Sequence, residues 1–268
     1  MDTAALLSAA LMGVVEGLTE FLPISSTGHL ILLGEAIGFR GPPGKVFEIS
    51  VQLGAILAVV WLSRDVLWRI VTRGWVPGTP ARRYAERVLL AFLPAAVLGA
   101  TLYGPITRRL FSPAVVAAAL ILGGIVLVAI ERRRPTPRIA SVLDLDRRAA
   151  LLIGFGQVLA MVPGTSRSAA TIIVALLLGM QRRVAIEFSL MLAIPTVPAA
   201  AAYSLWQGRA ELGDSGLGQI AVGFAVSFVV ALAVVRWTTA AIERIGFAPF
   251  GWYRIALGIL ISVWLVLR

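Results

Sequence analysis

The chain has 268 residues, of which 59% are hydrophobic and 14% are charged, and its mean hydropathy is +0.89. Because soluble domains carry about a quarter charged residues, this composition excludes an ordinary soluble protein and predicts a polytopic membrane protein. The sequence contains no cysteine, which excludes disulfide and thiol chemistry, and its net charge of +10 lies in loops between apolar segments, which the positive-inside rule explains better than nucleic-acid binding.

The first predicted element is a broken helix near the amino terminus. Apolar residues run over 3–15, a polar stretch follows over 16–29, and apolar residues resume over 30–34. Each apolar arm is shorter than the roughly 20 helical residues that cross a bilayer. We therefore predict a re-entrant helical hairpin in this segment.

The polar stretch of this hairpin reads Glu-Gly-Leu-Thr-Glu-Phe-Leu-Pro-Ile-Ser-Ser-Thr-Gly-His. Glu16 and Glu20 lie one helical turn apart, so we expect them on the same helix face. Pro23 is predicted to end or kink that helix, because proline lacks the N–H group that continues it. A second helix is predicted to begin near Gly28, capped by hydroxyl residues, which are Ser25, Ser26 and Thr27.

The rest of the chain alternates apolar spans with charged loops. Spans are predicted over 46–63, 88–103 and 114–130, separated by a basic loop over 64–87 and a turn over 104–113. A second basic loop over 131–148 precedes another interrupted apolar segment, 149–162 and 169–180, broken at 163–168. Later spans are predicted over 184–206, 219–235 and 250–267, joined by an acidic-leaning loop over 207–218 and a link over 236–249.

The two halves of the chain align with each other. Three landmarks match in order: Pro23-Ile24-Ser25-Ser26 with Pro163-Gly164-Thr165-Ser166, Glu48-Ile49-Ser50-Val51 with Glu187-Phe188-Ser189-Leu190, and Phe111-Ser112-Pro113 with Phe247-Ala248-Pro249. Each half holds one hairpin and three crossings, and an odd number of crossings inverts the second half. We predict an all-α polytopic membrane protein with an inverted-topology repeat.

This repeat predicts the organisation of the whole chain. Residues 1–268 form a single membrane domain, in which repeat one (1–135) and repeat two (148–268) are joined by the basic cytoplasmic loop 131–148. The two hairpins then enter from opposite leaflets, the first from outside and the second from the cytoplasm.

The second break supplies the residues of an anion site. Arg167 offers a planar guanidinium suited to phosphate oxygens. Each break precedes a half-helix whose free N–H groups face the break and favour negative charge. We therefore predict a phosphate or diphosphate site, in which the hydroxyl groups of both breaks take part: Ser25, Thr27, Thr165, Ser166, Ser168 and Thr171.

Candidate nucleophiles and proton carriers lie in the first break. Ser25, Ser26 and Thr27 are candidate nucleophiles, while His29, the only histidine in the chain, could activate a hydroxyl or a water or attack phosphorus itself. Glu16 and Glu20 could orient His29 or hold a divalent cation that bridges the phosphates.

Several of these charged residues have structural interpretations as well. Arg167 could be a structural counter-ion to Glu20. Glu48 and Glu187, at equivalent places near helix starts, suit dipole complementation or a helix cap about as well as catalysis.

The two broken stretches resemble the motifs of the undecaprenyl-pyrophosphate phosphatase family, which is also known for conferring bacitracin resistance. The resemblance lies in residues 16–29 and in Pro-Gly-Thr-Ser-Arg-Ser-Ala-Ala-Thr over 163–171, and extends through Phe47-Glu48, Gln52-Leu53-Gly54 and Glu187-Phe188-Ser189. Ala169 stands where the family commonly has glycine, and Thr165 where it commonly has an aromatic residue.

The resemblance implies an enzyme of the bacterial plasma (inner) membrane. It would remove the terminal phosphate of undecaprenyl diphosphate and so recycle the lipid carrier of cell-wall precursors, with a divalent cation, Mg²⁺ or Ca²⁺. Bacitracin would compete for this substrate rather than bind the protein. The resemblance places the active site on the outer side, with these residues: Glu16, Glu20, Ser26, His29, Ser166, Arg167 and Thr171.

A transporter or flippase of a phosphorylated polyprenyl lipid is the alternative, because inverted repeats with half-helices fit it equally well. A homodimer is compatible with the sequence, and nucleic acid is not expected as a partner.

Overall fold

The computed structural model describes residues 3–39, 41–42, 46–110, 112–133, 136–207 and 216–267, with the backbone alone for 103–109. In this part of the chain the regular structure is helical, apart from one isolated bridge between Ile139 and Met180. The helices are α1 (Thr3–Thr19), α2 (Ser26–Ile37), α3 (Val46–Leu62), α4 (Arg64–Arg73), α5 (Pro80–Leu110), α6 (Pro113–Arg133), α7 (Arg147–Val158), α8 (Arg167–Leu177), α9 (Arg182–Gln207), α10 (Leu217–Ile245) and α11 (Ala248–Leu267).

The lengths and apolar character of these helices are those of a polytopic membrane protein. Five of the described helices, α5, α6, α9, α10 and α11, are long and apolar enough to cross a bilayer. The helix α3 makes a sixth when it is counted with α4, which follows it after a bend of 75°. All six predicted spans fall on these helices, so the predicted all-α membrane fold is confirmed.

Several predicted loops are partly helical instead. Most of the predicted loop 64–87 belongs to α4 and the start of α5, since arginine is a good helix former. The predicted turn 104–113 narrows to a short connection between α5 and α6, and α10 extends through most of the predicted link 236–249, up to Gly246 at φ 73°. Most of the predicted loop 207–218 lies outside the described residues.

The first broken helix is interrupted as predicted, with shifted boundaries. The helix α1 ends at Thr19, four residues before Pro23, because a proline can neither donate to nor pack against the carbonyl four positions earlier. The helix α2 begins at Ser26 rather than near Gly28. The second broken helix has the same form, with α7, a short 3-10 turn over Leu159–Met161, and α8 after the break.

The helices of each half pack mainly against helices of the other half. The helix α10 packs against α1 and α3, and α5 packs against α7 and α9, while α6 pairs with α11 and α3 with α9. Two of these contacts are close because glycine lies in them: a Cβ on Gly13 would sit 2.5 Å from the Gly223 carbonyl oxygen, and one on Gly54 would sit 2.5 Å from that of Phe224. Equivalent helices, such as α1 and α7 or α5 and α10, thus have equivalent neighbours, as a repeat would require. The inverted orientation of the halves and the domain division stay predictions.

Candidate active site

The two helix breaks are in direct contact with each other. The Ser168 hydroxyl at the start of α8 donates to the Leu22 carbonyl in the first break at 2.9 Å. An Arg167 guanidinium nitrogen lies 3.3 Å from a Glu20 carboxylate oxygen, which joins the two breaks a second time. The predicted convergence of both breaks is therefore present.

Each break turns through a serine with a positive φ angle. Ser25 (φ 73°) precedes α2 and Ser166 (φ 70°) precedes α8, and they are the non-glycine residues with positive φ in the described chain. Such conformations cost about 1–3 kcal/mol and persist where the surrounding structure demands them. By backbone conformation Ser25 corresponds to Ser166, whereas the sequence alignment paired Ser25 with Thr165, so that alignment is shifted by one residue here.

The polar centre of the site is a chain of three side chains. The Ser26 hydroxyl donates to one carboxylate oxygen of Glu20 at 2.6 Å. The other oxygen of Glu20 accepts from Arg167 at 3.3 Å, and a second nitrogen of Arg167 donates to the Ser189 carbonyl at 3.0 Å. The side chains of Arg167 and Glu20 are 11% and 8% exposed, so this ion pair is shielded from solvent. The structural counter-ion considered from the sequence therefore exists in the protein, and the same guanidinium faces the cavity described next.

A cavity of about 420 Å³ opens beside this chain. One end is polar and is lined by Glu20, Ser25, Ser26, Thr27, Ser166 and Arg167. The opposite wall comes from α5 and α9 and is mostly apolar, with residues such as Phe92, Ala95, Ala96, Gly99, Val197 and Ala200. A cavity with a charged end and an apolar wall suits a lipid with an anionic head.

His29 lies behind Ser25 and is not among the residues that line the cavity. Its Nδ1 atom is 2.7 Å from the Ser25 carbonyl oxygen, and its Nε2 atom is 2.6 Å from the Tyr253 hydroxyl. A carbonyl oxygen only accepts hydrogen bonds, so Nδ1 carries the hydrogen. In the neutral ring Nε2 then accepts from Tyr253, and both nitrogens face protein atoms instead of the cavity.

Glu16 is wholly buried beside Glu20, Ser26 and Arg167. Among the described residues, neither oxygen of its carboxyl group has a hydrogen-bond donor in bonding geometry. The predicted face shared by Glu16 and Glu20 is present, since the Glu20 N–H donates to the Glu16 carbonyl at 2.9 Å. The Glu16 carboxyl group is thus buried next to Glu20 and Ser26, behind the charged end of the cavity.

Glu16 and Glu20 are also the predicted cation ligands. No group of three or more metal-binding side chains occurs in the described part of the chain. Two carboxylates still fit Mg²⁺, which proteins often bind through one or two carboxylates together with substrate phosphates. Glu20 lines the cavity, whereas Glu16 is wholly buried behind it, so Glu20 is the carboxylate that a cation on the substrate phosphates would meet first.

Two predicted phosphate ligands, Ser168 and Thr171, point into the protein. Ser168 binds the Leu22 carbonyl, as described above, and Thr171 is 1% exposed. The Thr171 hydroxyl lies 2.7 Å from that of Ser189 and 3.0 Å from the Arg167 carbonyl oxygen. The structure thus places both side chains in the packing that holds Arg167. Glu48 and Glu187 likewise do not line the cavity, and Glu187 accepts a hydrogen bond from Tyr84 at 3.3 Å.

Arg254 is a site residue that the sequence reasoning missed. It is fully buried in α11, and its guanidinium donates to the carbonyls of both breaks, at 3.1 Å to Pro23, 2.9 Å to Thr165 and 3.0 Å to Gly164. Two carbonyls of α6, those of Ala119 and Leu120, accept further bonds. The sequence does indicate such a residue, because an arginine within an apolar span is expected to have buried polar partners.

Gln157, Ser189 and Thr196 were also missed as site residues. Gln157 and Thr196 line the cavity, and Ser189 holds Arg167. A single amide or hydroxyl group inside an apolar span gives little sequence signal, because such groups are often satisfied within their own helix.

Comparison with known proteins gives one family. The sequence model of the family described as bacitracin resistance protein BacA matches residues 9–260. Undecaprenyl-diphosphatase 2 of Paramagnetospirillum magneticum is 53% identical over 98% of this chain and 100% of its own length. The undecaprenyl-diphosphatase of Rhizorhabdus wittichii is 49% identical over 98% of this chain and 99% of its own, and that of Bordetella petrii is 45% identical over 100% and 99%.

Proposed function

The chain belongs to the bacitracin resistance protein BacA family, and from this membership we propose that it is a membrane-embedded undecaprenyl-diphosphatase. It hydrolyses undecaprenyl diphosphate to undecaprenyl phosphate and inorganic phosphate, and so recycles the lipid carrier for peptidoglycan synthesis. The observation that carries this proposal is the Ser26–Glu20–Arg167 chain at the polar end of a cavity with an apolar wall.

The proposed reaction begins with the diphosphate at the polar end of the cavity. Arg167 and the N–H groups at the starts of α2 and α8 bind phosphate oxygens and stabilise charge on the transferring phosphoryl group. The Ser26 oxygen attacks the terminal phosphorus while its proton passes to Glu20, with which it is already hydrogen-bonded. The bond from that phosphorus to the bridging oxygen breaks, and prenyl phosphate leaves. Water then hydrolyses the phosphoserine, which releases inorganic phosphate and restores Ser26.

This geometry favours Ser26 over His29 as the nucleophile, because Ser26 lines the cavity and His29 does not. Phosphate release from a prenyl diphosphate by the purified protein tests the function. We expect Ser26→Ala and Arg167→Lys to lower kcat/KM by roughly a hundredfold or more. Ser262→Ala is the matched control, since within the described part of the chain its hydroxyl donates to the Gly258 carbonyl of its own helix at 2.8 Å. Unchanged rates in both site variants would refute the assignment.

We propose a divalent cation, Mg²⁺ or Ca²⁺, as cofactor. Glu20 and Glu16 would hold it together with the phosphate oxygens of the substrate, and it would neutralise charge on the diphosphate when bound. Phosphate release should fall on addition of EDTA and return with Mg²⁺, and Glu16→Gln should weaken the apparent affinity for the cation. Full activity in EDTA would exclude this role.

We also propose a position for the site in the cell. The protein would lie in the bacterial inner membrane with its cavity open toward the outer side. There bacitracin would compete for the lipid diphosphate instead of binding the protein. The homodimer considered from the sequence stays a prediction.

Transport of a phosphorylated polyprenyl lipid is the second candidate. It is favoured because equivalent helices of the two halves have equivalent neighbours, as in transporters built from repeats. Reconstituted liposomes separate the two functions. A carrier alone would move labelled prenyl phosphate between leaflets without releasing phosphate, whereas the proposed enzyme releases phosphate from the diphosphate.

A further inference from the structure

We infer that Gln157 is a substrate-binding residue, whose amide binds the phosphate that stays with the prenyl chain. This inference rests on the proposed function and adds a contact that the Ser26–Glu20–Arg167 chain does not provide. It would make Gln157 responsible for affinity toward the lipid product as well as the substrate.

The side chain of Gln157 is buried and incompletely bonded. It is 2% exposed and lines the cavity. Its one hydrogen-bond neighbour in the described chain is the Thr196 hydroxyl, 3.4 Å from the Gln157 Oε1 atom, and its Nε2 atom has no partner there. A buried amide N–H group without an acceptor is destabilising, so this group is expected to meet an acceptor in the functioning protein.

An unpartnered N–H group remains whichever way the amide is turned. The Thr196 hydroxyl has one hydrogen to donate. Its oxygen lies 2.7 Å from the Leu192 carbonyl oxygen and 3.4 Å from the Gln157 Oε1 atom, so the hydrogen goes to Leu192. If the amide is rotated so that nitrogen faces Thr196, one N–H group donates to that hydroxyl. The amide nitrogen carries two hydrogens, so the other remains free for an acceptor in the cavity.

The helix α9 shows where this donor lies along the cavity. Ser189, Thr196 and Tyr203 follow one another at intervals of two helical turns, so they share one face of α9. The Ser189 carbonyl accepts from Arg167, the Thr196 hydroxyl contacts Gln157, and the Tyr203 hydroxyl donates to the Ala100 carbonyl at 3.2 Å. Gln157 is therefore placed between the charged end of the cavity and the part enclosed by α5 and α9.

This order assigns the two phosphates of the substrate. With the terminal phosphate at Arg167 and Ser26, the lipid continues toward the apolar wall of α5 and α9. The phosphate attached to the prenyl chain then lies on the side of Gln157. A neutral amide suits this phosphate, because it binds the oxygens without holding the charged product as firmly as a second arginine would.

The test separates binding of the two products. We expect Gln157→Leu to raise KM for a prenyl diphosphate roughly tenfold or more and to change kcat less, because the amide binds the prenyl-linked phosphate before, during and after the bond breaks. The inhibition constant of a prenyl monophosphate should rise by the same factor. The inhibition constant of inorganic phosphate, which binds at Arg167, should stay as in the wild type.

Further variants keep this test independent of folding. Leucine has nearly the volume of glutamine, and Gln157→Glu retains its shape while placing a carboxylate against phosphate, so its KM should rise at least as much. Gln181→Leu is the matched control: Gln181 is exposed and lies immediately before α9, so both constants should stay unchanged. The inference is overturned if Gln157→Leu leaves the inhibition constant of prenyl monophosphate unchanged. It is also overturned if the inhibition constant of inorganic phosphate rises by the same factor.

Failure of the proposed function gives a different result. Wild-type protein that releases no phosphate contradicts the enzyme assignment itself. Direct binding of labelled prenyl monophosphate to the wild type and to Gln157→Leu then still tests whether the Gln157 amide binds this phosphate. Equal affinities would refute that contact.

Discussion

Two side chains hold Ser25 in its left-handed conformation, His29 on α2 and Tyr253 on α11. The ring of His29 donates to the Ser25 carbonyl through Nδ1, and Tyr253 binds the other ring nitrogen. Ser25 itself has no side-chain cap bond to α2. These contacts predict that His29 is a positioning residue, which fixes the backbone that carries Ser26 into the cavity.

A positioning role for His29 predicts different outcomes for two amide substitutions. Asparagine places its side-chain nitrogen close to the position of Nδ1, whereas glutamine reaches toward Nε2. We expect His29→Asn to keep phosphate release within about tenfold of the wild type, since the donor to Ser25 is retained, and His29→Gln to lose more.

Tyr253→Phe is the companion variant. It removes only the outer bond of the relay, so its rate should fall by less than that of His29→Ala. If both amide variants were as inactive as Ser26→Ala, the ring itself would take part in the chemistry, and the positioning role would be wrong.

At the scale of elements, the second break depends on close approach to α6. Gly164 has φ 91°, and a Cβ there would lie 2.6 Å from the Val116 carbonyl oxygen. Gly38, at the end of α2, also has positive φ (62°), with no atom within 4 Å of its Cβ position. The two glycines thus share their backbone requirement and differ in the space around them.

This difference predicts unequal effects of alanine. Gly38→Ala should cost only the conformational penalty, about 1–2 kcal/mol, and leave phosphate release unchanged. Gly164→Ala should add a steric displacement of the break, lowering both the thermal unfolding temperature and kcat. Equal unfolding temperatures and rates in the two variants would show that the contact with α6 is unimportant.

The helix α11 joins the two broken helices through Arg254. Its guanidinium reaches carbonyls of both breaks, and Gly123 on α6 leaves room for it, because a side chain there would clash with the guanidinium. Only a planar fork of several donors serves such a set of acceptors. Loss of this group would leave buried carbonyls without donors.

Arg254→Lys should therefore lower the unfolding temperature and phosphate release together. A lysine carries three donors on one nitrogen and cannot reach carbonyls on opposite sides. Arg64→Lys is the control, since Arg64 donates to the Trp61 carbonyl at an exposed position. Wild-type unfolding and activity in Arg254→Lys would contradict the joining role.

At the scale of the whole molecule, the predicted inversion concerns which face each loop reaches. Three predicted spans separate the loop at 64–87 from the loop at 207–218, so they should lie on opposite sides of the membrane. The absence of cysteine makes the chain suited to single-cysteine labelling.

Trp75→Cys and Ser215→Cys test this topology. Trp75, between α4 and α5, is 84% exposed, while Ser215 lies outside the described residues in the predicted outer loop. A membrane-impermeant maleimide should label Ser215→Cys in intact cells and Trp75→Cys only after permeabilisation. Arg138→Cys, in the predicted cytoplasmic loop, should behave like Trp75→Cys. Labelling of Trp75 and Ser215 from the same side would exclude an odd number of crossings between them.

The membrane class, the two broken helices and the residue types at the charged centre could be predicted from the amino-acid sequence alone. These follow from local properties, namely apolar run lengths, proline positions and the cost of charge within an apolar segment. Glu20, Ser26 and Arg167 could be predicted as members of one site for that reason.

The contacts among those residues, by contrast, depend on the packing of the folded chain. It brings Ser26 to Glu20, turns His29 toward Tyr253, and buries Ser168 and Thr171 in the packing around Arg167. It also brings Arg254 and Gln157 to the breaks and the cavity. These contacts join segments far apart in the chain, so their geometry depends on how the helices pack, which no local pattern of residues specifies.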